Sequence, residues 1–277
     1  MPLPKQQCSL SQYTAGYIDT ETDAAVPTLL FLHGFFGSSA NWERLIARLS
    51  DGYPDRYRCV ALDLLGFGDS SKPWLKYTIW HQVDFVTEFI AALGLTNVTL
   101  VGHSYGGWTA AAYAVRQATQ ADETLLQGLV LVAPAGIRDD SFVGRYSYMK
   151  PLLWESSLVD RAIALLKPMC TLLNRPQFYQ RIAEARKALT EQPVAKSFLV
   201  DRLRPEDAID TVDKDIHAIQ VPTVVVAAAQ DDTIPLWHCE TYANRIPHAR
   251  LVVLPDAKHD LIQTHGDAIA AALHTIL

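Results

Sequence analysis

The sequence predicts an α/β protein with a doubly wound, mostly parallel sheet and a helical insertion. Two patterns carry this prediction. Short apolar runs alternate with longer helical stretches along most of the 277 residues, and the runs stop between about residues 135 and 220. Hydrophobic residues make up 49% of the chain, which is enough for a sizeable buried core. The length fits one domain of this class with an insertion.

Six continuous apolar runs are predicted to be strands buried on both faces, as in a parallel sheet. They are Thr28–Leu32, Cys59–Asp63, Asn97–Gly102, Leu129–Ala133, Thr223–Ala229 and Arg250–Leu254. The candidate helices between them are Ala40–Ser50, Thr78–Leu93, Gly106–Gln117, Leu236–Arg245 and Gly266–Leu277. Such alternation implies right-handed crossovers and a doubly wound sheet. We expect Ser9–Asp19 to begin the sheet together with Thr28–Leu32.

The interval 135–220 contains helix signals but no strand candidate. Ser157 to Asp160 fits a capping box, and Pro168 is expected to disturb or end the helix that follows. Pro176 suits the first position of a second helix, Gln177–Leu189. A third candidate starts at Pro193 and is closed by Pro205.

We therefore predict core segments 1–134 and 221–277, separated by a helical lid over 135–220. An insertion between two strands lies near the carboxyl ends of the sheet, where ligands bind in this class of fold. Side chains expected to face the site are Phe142, Met149, Trp154 and Phe178, although each is by default a packing residue. The alternative is a set of helices that only stabilises the sheet.

Composition argues against several classes of protein. A net charge of −6 disfavours a nucleic-acid surface, and there is no polybasic run for a membrane. No stretch of 18 apolar residues predicts a transmembrane helix, and the first residues lack the apolar core of a signal peptide. The four cysteines are scattered, which is typical of reduced thiols and not of a metal site. We expect a cytoplasmic protein without cofactor or metal.

The segment Gly102-His103-Ser104-Tyr105-Gly106 lies between a predicted strand and a predicted helix. This is the G-x-S-x-G pattern of a nucleophile elbow, a sharp turn that exposes the serine. The flanking glycines fit because larger side chains would clash with the strand and helix. A serine that only caps the helix is the simpler interpretation, but it does not explain the glycine pair.

A serine hydroxyl needs a base, and the base needs a carboxylate to hold it. Asp231 and His259 follow the last two predicted strands, so both are expected at the same edge of the sheet as Ser104. The chain has nine histidines, and His265 is a weaker candidate for the base. His259 is favoured because it lies in the loop after the last strand.

Two further loops follow predicted strands. The His-Gly turn after Leu32 is expected to offer the N–H of Phe35 to an oxyanion, together with the N–H of Tyr105. The glycine-rich loop Asp63–Pro73 is interpreted as structural, with Asp63 and Asp69 included.

On these segments the chain resembles the α/β-hydrolase superfamily, in its lid-bearing serine hydrolase branch. The resemblance covers nearly all of the chain outside the insertion. It implies Ser104 as nucleophile, Asp231 as acid, His259 as base and the N–H groups of Phe35 and Tyr105 as oxyanion donors. It also implies a carboxylesterase or a carbon–carbon bond hydrolase. The serine disfavours haloalkane dehalogenases and most epoxide hydrolases, which attack with aspartate.

The resemblance also bears on the choice of acid and base. The family commonly places its acid four residues before the proline that opens the next helix, which favours Asp231 over Asp232. A few relatives take the acid from the loop after the preceding strand, where Asp139 and Asp140 lie. Lys258 stands before His259 where the family usually has glycine.

Three classes of function remain open. The first is a serine hydrolase acting on a small or medium, largely apolar acyl compound. The second is a lyase or cofactor-free perhydrolase that uses the same residues, and the third is a small-molecule receptor. A complete set of Ser104, Asp231 and His259 favours catalysis, because a receptor has no chemical need of all three.

Overall fold

The computed structural model describes residues 3–21, 26–53, 56–120, 126–139, 156–191, 193–194, 197 and 210–277. Within these residues eight strands form one sheet. They are β1 (Lys5–Ser9), β2 (Thr14–Asp19), β3 (Thr28–Leu32), β4 (Arg58–Leu62), β5 (Val98–His103), β6 (Leu126–Val132), β7 (Thr223–Ala228) and β8 (Arg250–Leu254). Their order across the sheet is β1-β2-β4-β3-β5-β6-β7-β8.

Helices connect most of these strands. They are α1 (Glu43–Gly52), α2 (Ile79–Ala92), α3 (Tyr105–Gln120), α4 (Ser157–Leu172), α5 (Pro176–Glu191), α6 (Leu236–Arg245), α7 (Leu261–Thr264) and α8 (Gly266–Leu273). Short 3₁₀ turns lie at Ser39–Trp42 and Ile216–Ala218. Helices α1 and α8 pack together against one face of the sheet, while α2 and α3 pack together and α3 lies on β3, β5 and β6.

The six strands from β4 to β8 in sheet order are parallel, whereas β2 pairs antiparallel with both β4 and β1. The predicted mostly parallel, doubly wound sheet is therefore confirmed. The chain passes from β3 to β4 on one side and then returns to β5 on the other, so the order reverses between β3 and β5. Loops that follow strands at such a reversal diverge and leave a crevice, where α/β proteins bind their ligands.

The N-terminal edge differs from the expectation. Residues 5–19 form two strands joined by a tight turn, and β2 pairs with β4 instead of Thr28–Leu32. The reason is that β3 already has a parallel neighbour on each side, β4 and β5. The only edge left for an N-terminal strand on that side is the far edge of β4.

The chain divides into two compact units. The first comprises Met1–Ser71, Thr78–Arg138 and Asp210–Leu277 and contains the sheet; the second comprises Lys72–Tyr77 and Asp139–Ile209 and contains α4 and α5. The predicted division at 134 and 220, and the predicted lid over 135–220, stay predictions. Phe142, Met149 and Trp154, and most of the third helix candidate between Pro193 and Pro205, lie outside the described residues.

In the second unit, the N-cap of α4 is Ser156, one residue before the predicted cap Ser157, and its side chain accepts the N–H of Leu158 at 3.2 Å. The helix also continues through Pro168 to Leu172, so of the two predicted effects of this proline, disturbance or termination, termination is wrong. Proline has no backbone N–H, so the helix lacks one hydrogen bond at this residue. The residues after it still bond normally, as the Leu173 N–H donates to the Met169 carbonyl at 3.0 Å.

Candidate active site

Ser104 occupies the sharp turn between β5 and α3 in a left-handed backbone conformation, with φ of 53°. A Cβ at Gly106 would lie 2.2 Å from the Leu32 carbonyl oxygen, and one at Gly102 would lie 2.3 Å from the Gly106 carbonyl oxygen. Both distances are far below van der Waals contact. The glycine pair is therefore what allows the helix to start this close to β3 and β5.

The loops after β3, β7 and β8 meet Ser104 at the carboxyl edge of the sheet. Gly34, after β3, lies so close that a Cβ there would be 3.3 Å from the Ser104 Cβ. Asp231 follows β7 and His259 follows β8. The carboxyl ends of parallel strands lie at the same edge of the sheet. Residues that directly follow different strands are therefore neighbours, although they are far apart in the sequence.

His259 lies between the serine and the carboxylate. Its Nε2 is 3.0 Å from the Ser104 Oγ, and its Nδ1 is 2.7 Å from the Asp231 Oδ2. Since a carboxylate only accepts, Nδ1 carries the proton, and Nε2 of the neutral ring is left to accept from the serine hydroxyl. The serine and aspartate are almost fully buried, while 23% of the histidine side chain is exposed.

The Asp231 carboxylate is held on both oxygens. Its Oδ1 accepts the N–H groups of Thr233 at 2.8 Å and Ile234 at 2.9 Å, while Oδ2 faces His259. Burial acts to raise the pKa of this carboxyl, but the hydrogen bonds from His259, Ile234 and Thr233 outweigh it and leave the pKa below its ordinary value. The group is thus ionised and oriented at neutral pH.

The other candidates are placed differently. Asp232 is exposed, and its carboxylate accepts from the Thr233 hydroxyl at 3.3 Å. His265 is 3.4 Å from Asp256 and contacts the Thr264 hydroxyl. Asp139 belongs to the second unit, and Asp140 lies outside the described residues.

Phe35 and Tyr105, the predicted oxyanion donors, are neighbours. Their ring centroids are 5.0 Å apart in an edge-to-face contact. Tyr105 is the first residue of α3, and the N–H groups of a first helical turn have no acceptor within the helix. The end of α3 that carries partial positive charge therefore lies beside the Ser104 Oγ.

Aromatic side chains surround this end of α3. The Phe35 ring contacts Phe36 at 5.3 Å and Phe67 at 5.4 Å between centroids, in addition to Tyr105. The Tyr105 ring in turn contacts Trp108 at 6.0 Å, and the Trp108 indole donates to the Asp210 carbonyl at 3.2 Å. These contacts form a continuous aromatic cluster at the start of α3, the helix that follows Ser104.

The loop that carries Phe35 is fixed by a buried histidine. His33 Nδ1–H donates to the Gly34 carbonyl at 2.7 Å, and its Nε2 accepts the Leu64 N–H at 3.0 Å. Burial lowers the pKa of His33, so the ring stays neutral and keeps both bonds. Asp63, fully buried, accepts the N–H groups of Ser39 and Asp69, which agrees with a structural interpretation of that loop.

The sequence analysis assigned no role to His103, and the structure draws attention to it. Its Nε2–H donates to the backbone carbonyl of His259 at 2.9 Å, and the two rings are 4.9 Å apart. Burial, and then the nearby His259, lower the pKa of His103 to about 3. No local pattern signals this contact, because its partner lies 156 residues further along the chain.

Within the described ranges, no group of three or more His, Cys, Asp or Glu side chains has an arrangement that would hold a metal ion. In the same ranges, no helix combines the length and apolarity needed to cross a membrane.

Residues 27–265 match the family described as alpha/beta hydrolase fold. The 2-hydroxy-6-oxo-6-(2'-aminophenyl)hexa-2,4-dienoic acid hydrolase of Metapseudomonas resinovorans is 24% identical over 95% of this chain and 89% of its own. Haloalkane dehalogenase 2 of Mycobacterium bovis is 28% identical over 93% of this chain and 89% of its own. Among solved structures, a malate-bound thermophilic esterase from Thermogutta terrifontis has a TM-score of 0.70 at 23% identity and covers 99% of both chains, a likeness of fold alone.

Proposed function

Because the chain belongs to the alpha/beta hydrolase fold family, we propose that it is a serine hydrolase that cleaves ester-type bonds of small, largely apolar acyl compounds. The observation that carries the proposal is the hydrogen-bonded series Ser104–His259–Asp231, with distances of 3.0 and 2.7 Å. That series supplies a nucleophile, a base and a group that orients the base.

In the first half-reaction, the Ser104 Oγ attacks the acyl carbonyl carbon while His259 Nε2 takes the hydroxyl proton. Asp231 keeps Nδ1–H in place and stabilises the imidazolium that forms. As the tetrahedral intermediate collapses, the carbon–oxygen bond of the ester breaks and His259 returns the proton to the leaving alcohol. The acyl group remains on Ser104.

In the second half-reaction, His259 takes a proton from water, whose oxygen attacks the acyl carbon. The bond between that carbon and the Ser104 Oγ then breaks, and His259 returns the proton to Oγ, which releases the acid and restores the enzyme. Each tetrahedral intermediate carries a negative oxygen. We assign the N–H groups of Phe35 and Tyr105 to that oxygen, since Tyr105 opens α3 directly after the serine and the Phe35 ring packs against the Tyr105 ring.

The substrate class follows from the side chains near Ser104. Phe35, Phe36, Tyr105 and Trp108 form one aromatic cluster at the start of the helix that follows Ser104, and a site beside such a cluster suits hydrophobic substrates. We therefore expect apolar acyl esters to be preferred to peptides and phosphate esters.

A second candidate is hydrolysis of a carbon–carbon bond next to a ketone. It is favoured by the relative of Metapseudomonas resinovorans, whose name denotes a hydrolase of a 6-oxo dienoic acid and which matches 95% of this chain. The dehalogenase name of the other relative is not carried over, because the nucleophile here is the hydroxyl of Ser104 and not a carboxylate.

The decisive experiment is labelling with a fluorophosphonate together with turnover of p-nitrophenyl esters of increasing acyl length. Ser104→Ala is expected to abolish labelling and to lower kcat by about 10⁴-fold or more, with the fold intact by circular dichroism. Esterase activity retained in this variant would sink the mechanism. Labelling of the wild type without ester turnover would favour the carbon–carbon hydrolase or a non-hydrolytic enzyme.

Asp231→Asn and Asp232→Asn form a matched pair, since they make the same change in adjacent residues. We expect the first to lose activity by about 10⁴-fold, because the imidazole is no longer held in the productive tautomer, and the second to lose little. A dead Asp232 variant would overturn the assignment of the acid. Loss of activity in Asp139→Asn or Asp140→Asn, with Asp231→Asn active, would move the acid to the earlier loop.

A further inference from the structure

Helix α4 is apolar on two opposite faces, and only one of them is buried. Ile163 and Cys170 are buried, and α4 packs against α5. A second stripe consists of Leu158, Leu165, Met169 and Leu172, which are 69%, 74%, 55% and 86% exposed in the whole chain. Their spacings of seven, four and three residues place them along one line on the helix surface.

The stripe continues over the turn between α4 and α5. Leu173 is 63% exposed and Phe178 is 57% exposed. Beside them lies an open groove of about 450 Å³, lined by Asn174, Arg175, Pro176, Gln177, Phe178 and Arg181. We call the stripe together with this turn the α4–α5 tip. Contiguous exposed apolar groups of this kind mark a surface that another phase or molecule covers.

Two arginines at the tip are not neutralised within the described residues. Arg186, further along α5, is 3.0 Å from Asp160, whereas no carboxylate of the described part of the chain lies within ion-pair distance of Arg175 or Arg181. The whole protein has a net charge of −6. The apolar tip is therefore bordered by basic side chains on a chain that is acidic overall.

We propose that the α4–α5 tip binds the surface of a bilayer that contains anionic phospholipids. The leucines and Phe178 enter the boundary between headgroups and acyl chains, and the guanidinium groups of Arg175 and Arg181 pair with lipid phosphates. Amphipathic helices with this distribution lie in that interface, and guanidinium is the side-chain group best suited to phosphate.

A second copy of the chain fits this surface less well. A two-fold contact centred on the tip places the same residues opposite one another. Arg175 and Arg181 would then face their own counterparts with no described carboxylate between them. An anionic lipid surface, by contrast, offers an apolar region for the leucines and Phe178 and phosphate groups for the two arginines.

The test is flotation of the full chain with phosphatidylcholine vesicles, with and without about a quarter of phosphatidylglycerol. We expect binding to be stronger on the anionic vesicles and to weaken at high salt. Since each basic residue near such a surface contributes a factor of about five, Arg175→Gln with Arg181→Gln should lower the partition coefficient by about 30-fold. Inorganic phosphate should compete no better than chloride of the same ionic strength; specific displacement by it would identify a free-phosphate site instead.

The apolar contribution is tested with Leu172→Gln, Leu173→Gln and Phe178→Gln combined. The matched control is Trp237→Gln with Val253→Gln, two apolar residues of the first unit that are each 42% exposed. Loss of flotation only in the first variant is expected. No flotation of the wild type, equal loss in the control, or a dimer that the same tip variant dissociates would each overturn the proposal. Ser104→Ala should bind vesicles normally, so this result is independent of the proposed hydrolase activity.

Discussion

At the scale of single residues, the conformation and the exposure of Phe36 both destabilise the folded protein. Its φ is 58°, a left-handed conformation that costs a residue with a Cβ roughly 1–2 kcal/mol, and 45% of it is exposed. Glycine would remove the strain, and a polar residue would remove the exposed apolar surface. The ring instead contacts Phe35 in the loop beside Ser104. We predict that the ring contacts the acyl group of the proposed substrate.

Phe36→Gly should leave the free energy of unfolding within about 1 kcal/mol of the wild type, because relief of strain offsets the lost ring contact. The value of kcat/KM for long or aromatic acyl esters should fall by about tenfold, since covering half a ring contributes on the order of 1–2 kcal/mol, while acetate esters change little. Urea unfolding and steady-state kinetics measure both.

The matched control is His248→Gly, a second exposed residue with positive φ, 62°, in the turn before β8 and so at the opposite end of the parallel strands. It should show a similar change in stability and no change in acyl specificity. If Phe36→Gly left the specificity unchanged as well, Phe36 would have no role in substrate contact.

At the scale of elements, the loop after β8 depends on β5 for its position. His103, the last residue of β5, donates to the backbone carbonyl of His259, so the strand that precedes Ser104 also holds the proposed base. The ring remains neutral because its pKa is lowered to about 3. It therefore keeps the same hydrogen bond at neutral and mildly acidic pH.

His103→Phe, which removes the donor and keeps the ring, should lower kcat by about 10–100-fold with little change in KM, because a small displacement of the base is sufficient for such a loss. His103→Gln retains an N–H donor and should recover part of the rate. Fluorophosphonate labelling rates should follow kcat. Equal rates in the Phe and Gln variants would show that the hydrogen bond does not position His259.

At the scale of the whole molecule, folding buries the side chains of His33 and His103, and both rings are neutral. Burial is the largest cause of the lowered pKa of each. In the unfolded chain a histidine takes up a proton near pH 6.5. Between that pH and about 3, the unfolded chain therefore binds a proton that native His103 does not. Stability is highest above about pH 6.5 and falls as the pH falls.

Urea unfolding at a series of pH values should show this decline, and His103→Gln should reduce its slope between about pH 6 and 4 by about 1.4 kcal/mol per pH unit. Asp231 adds a further loss below about pH 4, since its pKa is lowered and its stabilising bonds disappear on protonation. The control is His248→Gln, an exposed histidine. A slope unchanged by His103→Gln would show that His103 is not a source of the acid sensitivity.

The local pattern of the sequence was sufficient for most of the architecture. The apolar runs at Thr28–Leu32 and Arg250–Leu254 are strands with those same limits, and the run before Ser104 ends in a turn as expected. These features are predictable because strand burial and turn chemistry depend on neighbouring residues. Ser104, Asp231 and His259 were also found from the sequence, since each follows a recognisable strand, although their catalytic roles stay a proposal.

Features that depend on residues far apart in the chain become visible only in the folded protein. Examples are the pairing of β2 with β4, the continuation of α4 through Pro168, and the hydrogen bond between His103 and the loop after β8. The tertiary structure also decides which apolar face of α4 is covered, because a helix that is apolar on two faces does not indicate in its own sequence which one its neighbour will contact. Local sequence specifies conformation, but burial and long-range hydrogen bonds are properties of the assembled fold.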